Sequence, residues 1–312
     1  MMADSTDSAL CAVTPEDIVR DLRFLPSAPK VLPRLKQLLG DNNSSMSEVV
    51  TLIRLDPGIA ARVLQVANSA YFSKGVRCST IGEAVNRVGF AQVYELVSYA
   101  VASQVLVRPL EVYRIEADDL WKLSVSCALA AEALAMRTGQ DRDVAYTVGL
   151  LHSLGMVAID DWALRNQPEL HLRTTGFPRE AAEHEQVALG FTQADAGAAL
   201  LRYWEFPESM CEPLQHQYSP RTCAAHARMA CLLHCAKWVR SVLCAAGEVR
   251  PALPPESVLQ MVPLRASDLP ELVDQVQRRL QQVNSLLDIE RTEPNARMRF
   301  PKPAWDQTCQ SI

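Results

Sequence analysis

The residues best suited to chemistry lie together in Gly149-Leu150-Leu151-His152-Ser153-Leu154-Gly155. An imidazole beside a hydroxyl suggests a general base and its nucleophile, the pairing used by serine hydrolases. Adjacent helical residues point about 100° apart, however, and no carboxylate stands nearby in sequence to orient the ring. The flanking leucines favour a core histidine held by hydrogen bonds. Asp160-Asp161 follows on the same stretch. A carboxylate pair invites a metal assignment, but we read it as a solvated helix end. His226, Cys231, His234 and Cys235 offer the thiolates and imidazoles that zinc prefers. Structural zinc sites hold their cysteines on tight turns, whereas Cys231 and Cys235 share a helical face, so core packing is the preferred reading. No glycine-rich phosphate loop occurs, and the usual nucleotide-binding signatures are missing.

Helices must position these groups, since helix signals recur along the chain and strand signals do not. Thr14-Pro15 and Asp56-Pro57 each place proline behind an N-cap residue. Ser45 with Glu48, and Thr80 with Glu83, read as capping boxes. Val49, Leu52 and Ile53, then Ile59, Val63 and Val66, then Ile81, Ala84, Val85 and Val88 follow at helical spacing. Asn68-Ser69 is expected to end one helix or fix the next loop. The pattern predicts a long helix near Ala117 to Thr138, stopped by Gly139. A further helix begins near Asp141 and carries Val144, Val148, Leu151 and Ala158 without interruption. Two shorter helices flank Gly190 and Phe191, and another begins at Pro207. From Arg221 to Ala246 the sequence is apolar almost all round, which marks a helix buried between others. Leu253-Pro254-Pro255 reads as a break, and Asp268 to Asp288 as an amphipathic helix. Trp121 and Trp204 read as core or groove-lining aromatics. The expected organisation is a mobile leader over 1–13, a helical domain over 14–220, packed helices over 221–288 and a loosely held tail over 289–312.

Composition narrows the function. The chain is 48% apolar and 21% charged, as expected of a folded soluble protein. A net charge of −5, from 31 basic and 36 acidic residues, gives no general reason to expect a nucleic-acid or membrane partner. Arg278-Arg279, with Arg291 and Arg297 beyond, reads as solvated surface. No apolar run approaches the roughly 18–20 residues that a membrane span needs, and the N-terminus lacks the pattern of a secretion signal. Nine cysteines, with no CxxC pair, fit reduced thiols in a cytoplasmic protein.

Several landmarks then fall in order: Phe24-Leu25-Pro26 with Pro29, Leu55-Asp56-Pro57, Ala67-Asn68-Ser69-Ala70-Tyr71-Phe72, the Ile81-to-Gly89 helix, Trp121, Gly149-Leu150-Leu151-His152, and GAALLRYWEFP from Gly197 to Pro207. In this order the sequence resembles the HDOD family, the HD-related output domains of bacterial signalling proteins, from about Phe24 to His216. The resemblance implies an all-α, multi-helix fold related to HD phosphohydrolases, used as a signalling output module rather than as an enzyme. HD enzymes hold one or two divalent ions with a first His, an adjacent His-Asp pair and a later Asp. The ion lowers the pKa of a bound water and steadies charge on a phosphate. Carboxylates supply charge and bridge ions; a hydroxyl supplies neither.

Where those enzymes read Gly-Leu-Leu-His-Asp-x-Gly-Lys, this chain keeps His152 but has Ser153 and Met156. Leu123 stands where a histidine often follows the tryptophan, and Gln193 where relatives commonly show histidine. His216 corresponds loosely to a histidine beyond the Trp-x-x-Pro segment. Asp56, Pro57, Asn68, Ser69, Trp121 and Gly149 carry the family signature in structural roles. The resemblance therefore implies no metal, no cofactor and no catalytic residue. It implies a module that binds signalling proteins, alone or as a homodimer, with a small ligand in the old metal pocket as a further option. The alternative is a divergent metal-dependent phosphohydrolase or cyclic-dinucleotide phosphodiesterase. That would need ligands recruited from Asp195, Glu183, His184 and His216.

Overall fold

The computed structural model describes residues 13–20, 22, 31, 35, 38, 45–73, 75–89, 92–93, 109–172, 178–244 and 251–286. The expected leader before residue 13, the tail after 288 and the Phe24-to-Pro29 landmark lie outside the described residues. Among those described, the structure is helical, and β pairing is limited to one antiparallel bridge between Leu110 and Ile115.

The N-terminal helices begin where their caps require. Helix α1 (Pro15–Arg20) starts behind Thr14, whose hydroxyl accepts from the Asp17 N–H. In α2 (Met46–Arg54), Ser45 and Glu48 form the reciprocal capping box. Asp56 caps α3 (Pro57–Asn68), with its Oδ1 2.9 Å from the Ile59 nitrogen. Each such cap contributes about 1 kcal/mol of helix stability. At the far end of α3, Ser69 is the C-cap and Asn68 fixes the next loop: its side chain accepts from the Cys78 N–H and donates to the Cys78 carbonyl. A short α4 (Ala70–Ser73) follows, then α5 (Ile81–Val88) with its Thr80–Glu83 capping box.

The centre of the fold is α6 (Ala117–Thr138), which ends at Gly139 in the left-handed conformation at φ 68°. Helices α7 (Arg142–Leu151), α8 (Leu154–Asn166), α9 (Pro178–Leu189), α10 (Gln193–Tyr203) and α11 (Glu208–Gln215) follow. After a 3-10 turn at Pro220–Thr222 come α12 (Ala227–Cys244), α13 (Glu256–Met261) and α14 (Leu269–Leu286). Helix α12 packs on α6, α7 and α11, while α14 packs on α6 and α12. One continuous apolar core runs from Ile18 to Leu280 and takes in Leu134, Leu150, Leu200, Leu232 and Val276. Among the described residues, no helix is long and apolar enough to cross a membrane.

Two local expectations are corrected. The helix predicted to run unbroken from Asp141 through Ala158 is two helices, divided at His152-Ser153. Side chains cause the division: the His152 ring takes the Gly149 carbonyl, and the Gln217 amide takes the His152 carbonyl. Asp160 and Asp161 are buried, not solvated. Asp160 accepts from the Val112 N–H at 2.8 Å, and Asp161 pairs with Arg165 at 2.8 Å. Helix α13 follows the predicted proline break directly; its six residues are too few to leave a clear period.

Candidate functional site

Two glycines hold the α7–α8 break in place. A Cβ on Gly149 would lie 2.9 Å from the Ala128 Cα and from the Cys127 carbonyl oxygen, so α7 approaches α6 only with glycine there. A Cβ on Gly155 would lie 1.8 Å from the Gln193 carbonyl oxygen, which closes α8 against α10. His152 and Ser153, between these two contacts, are both buried.

The His152 ring is occupied on both sides. Its Nδ1 lies 2.7 Å from the Gly149 carbonyl oxygen, and its Nε2 lies 2.8 Å from Arg240 Nη1. A guanidinium only donates, so Nε2 accepts and Nδ1 carries the proton toward Gly149. The ring is therefore neutral. Burial, followed by the nearby Arg240 and Lys237 cations, holds its pKa well below the ordinary histidine value. The Ser153 hydroxyl pairs with Ser124 at 3.1 Å. The imidazole's acceptor nitrogen is spent on Arg240, so the sequence-adjacent pair is not arranged as base and nucleophile.

A polar network extends from this point. Gln217 Nε2 donates to the His152 carbonyl at 3.2 Å and to the Leu214 carbonyl at 2.9 Å. Its Oε1 accepts from Lys237 Nζ at 2.6 Å. Lys237, 3% exposed, also lies 3.6 Å from the centre of the Tyr218 ring. Burial, then Arg240, pushes the Lys237 pKa well below its ordinary value. Gln193 Nε2 donates to the Tyr218 hydroxyl at 2.9 Å. Glu185 accepts from the Gln193 N–H at 2.7 Å and from the Tyr113 hydroxyl at 3.0 Å. Burial pushes the Glu185 carboxyl up to about 7, against the lowering effect of those two bonds. Arg240 Nε and Gln193 Oε1 are buried without a hydrogen-bond partner among the described residues.

These residues do not fit a divalent ion. The one nitrogen of His152 able to ligate faces a guanidinium. Ser153 brings no charge, Leu123 is a half-buried apolar residue, and Gln193 offers an amide. The Arg240 guanidinium from α12 also raises the electrostatic cost of any further positive charge. Among the described residues, no group of three or more His, Cys, Asp or Glu side chains could hold a metal.

The remaining candidates are dispersed. His216 caps α11 and bonds to the Thr222 hydroxyl at 2.8 Å; its neighbour Gln217 is the residue that reaches His152. Asp195 is engaged in the Thr192 capping box. Glu183 is exposed and His184 half-buried, so the buried acid of α9 is Glu185 instead. Trp121 is buried and donates to the Leu55 carbonyl at 2.8 Å, joining two signature segments; Trp204 is buried as well. Cys231 and Cys235 are buried, with the Cys235 thiol pushed up to about 12 by burial. His234 bonds to the Gln217 carbonyl, and His226 lines a cavity of about 320 Å³ with Gln140 and Arg228. The sequence reading missed Gln217, Lys237, Arg240, Glu185, Tyr113 and Tyr218. One signal was present: Lys237 and Arg240 are charges three residues apart in a helix whose other faces are apolar.

With this geometry in place, comparison with known proteins identifies the class. The HDOD domain family matches residues 25–220. The chain belongs to the HDOD family. A protein of Treponema pallidum (strain Nichols), itself uncharacterised, is 28% identical over 201 residues, covering 62% of this chain and 38% of that one. This chain thus spans well under half of that relative's length. The crystal structure of the MmoQ response regulator from Methylococcus capsulatus str. Bath is similar at TM-score 0.66 and 21% identity, over 80% of this chain and 98% of that one. A virulence factor from Campylobacter jejuni subsp. jejuni is similar at TM-score 0.58 and 18% identity, over 73% of this chain and 83% of that one. At these identities the likeness is one of fold.

Proposed function

We propose that this chain is a non-catalytic cytoplasmic signalling module that works by binding protein partners, its HD-type centre serving as a structural core. The observation that carries the reading is the Arg240 guanidinium on His152 Nε2 at 2.8 Å. It takes the lone pair a metal would need and brings positive charge to the place where a metal would sit. The carboxylate that would offset that charge is Ser153. The signalling half of the reading draws on the HDOD family and on the response-regulator name of one structural neighbour.

The test is hydrolysis of bis-p-nitrophenyl phosphate and of a cyclic dinucleotide by purified protein with Mn²⁺ or Mg²⁺. We expect no turnover above buffer, and the same for His152→Ala. Metal-dependent turnover that disappears in His152→Ala would establish the phosphohydrolase alternative instead.

A further inference from the structure

We propose that Arg240 is a positioning residue that replaces a divalent ion mechanically, latching the α7–α8 break to α12. The inference rests on the metal-free reading of the centre. A metal in an HD centre joins side chains from several helices through one cation. Here α12 grips residue 152 twice. Arg240 holds its ring at 2.8 Å, and Lys237 holds Gln217 at 2.6 Å, which in turn holds its carbonyl at 3.2 Å. Residues three apart lie on one helical face, so a single turn of α12 supplies both grips. The two grips meet through the backbone of α12: Arg240 reaches the His152 ring directly, and Lys237 reaches the His152 carbonyl through Gln217.

Guanidinium suits this task because it stays charged and presents donors in a fixed plane. Its Nε is buried without a partner among the described residues and its Nη2 reaches only Ser241 Oγ at 3.5 Å, so the side chain is placed for the Nη1 contact at the expense of its other donors. Unlike a metal tie, the latch needs no bound ion. It does require a neutral ring, because a protonated imidazole has no lone pair to accept with. Among the described residues, the charged groups bearing on the ring are Arg240 and Lys237, both from α12; α7 contributes only the Gly149 carbonyl. Protonation would therefore set like charges against each other with no carboxylate to soften the contact.

The test is thermal unfolding of the full chain, comparing wild type, Arg240→Ala, Arg240→Lys, His152→Ala and His152→Ala/Arg240→Ala from about pH 8 down to the acid limit of the folded state, below the ordinary histidine pKa of about 6.5. At pH 8, Arg240→Ala should lower Tm by about 3–8 °C, with Arg240→Lys between it and wild type. Millimolar ethylguanidinium should restore part of the loss in Arg240→Ala and leave wild type unmoved. The deficit should shrink as pH falls through the folded-state pKa of the ring in Arg240→Ala, which burial keeps below the ordinary histidine value of about 6.5, and it should vanish in the His152→Ala background. A deficit that is the same at every pH and adds fully to His152→Ala would overturn the latch, as would no deficit at all. Should Arg240→Ala fail to fold, the same pH and background tests apply to Arg240→Lys. EDTA separates the two claims: a fall in wild-type Tm on chelation defeats the metal-free reading, whereas silence with an additive deficit defeats only the latch.

Discussion

Two charged centres lie on α6 and its neighbours, and they solve burial in opposite ways. At one, Glu132 meets Arg54 at 3.0 Å and Arg279 at 2.6 Å, while Arg54 also reaches Asp143 at 3.1 Å and stacks 4.1 Å from the Tyr146 ring centre. Two guanidiniums face two carboxylates, and the cluster joins α2, α6, α7 and α14. At the other, Lys237 and Arg240 make no ion pair within 4 Å among the described residues, and are held by an imidazole, an amide and an aromatic face. The first centre is neutralised by charge; the second is satisfied by hydrogen bonds without neutralisation. At the second centre the Arg240 guanidinium rests on a lone pair of the ring, which is why that ring must stay neutral.

The largest effect should come from unbalancing the first centre. Glu132→Ala strands two arginines, and we expect a loss of about 2–3 kcal/mol in urea unfolding, less than a fully buried pair because the arginines are partly solvated. A loss below that of an ordinary surface substitution would show that the contrast between the centres is wrong.

Next comes Glu185. Its folded-state pKa, about 7, lies above the ordinary 4.5. The folded protein therefore keeps a proton that the unfolded chain loses, and wild-type stability should fall as pH rises through that window. Glu185→Gln removes this slope. It should be more stable than wild type at pH 8 by about 1–3 kcal/mol, with the gap closing toward pH 5. Parallel stability curves for the two proteins would count against a buried, protonated Glu185.

A smaller change is expected from Ser153→Ala, which deletes only the bond to Ser124 and should cost about 1 kcal/mol, without altering the pH response of the His152 centre. An altered response would give that hydroxyl a part in the latch. The smallest change belongs to the surface: Arg77→Ala breaks the pair with Glu205, whose side chains are 38% and 49% exposed, and should leave the urea midpoint within the range of an ordinary surface substitution. A larger loss would mean that the Arg77 bond to the Asn68 carbonyl is what holds the loop.

What the sequence made legible was local. Ser45 with Glu48, Asp56 with Pro57, and Thr80 with Glu83 satisfy backbone groups three residues away, so their pattern alone predicts the helix starts. Gly139 likewise stops α6 through its own backbone conformation. The α7–α8 break was not legible because Gln217, which takes the His152 carbonyl, lies 65 residues further along. Asp160 was misread for the same reason, its partner Val112 being 48 residues away. The motif around His152 carries Ser153 and no carboxylate, but does not tell which group faces the ring. Only the docking of α12 on α6 and α7 brings Arg240, 88 residues distant, onto the ring.

Metal content of the purified full-length chain, measured by plasma mass spectrometry after expression in medium supplied with iron, manganese and zinc, addresses the central claim most directly. We predict no stoichiometric transition metal in wild type. One or more metal ions per chain, lost together in His152→Ala, would contradict the account.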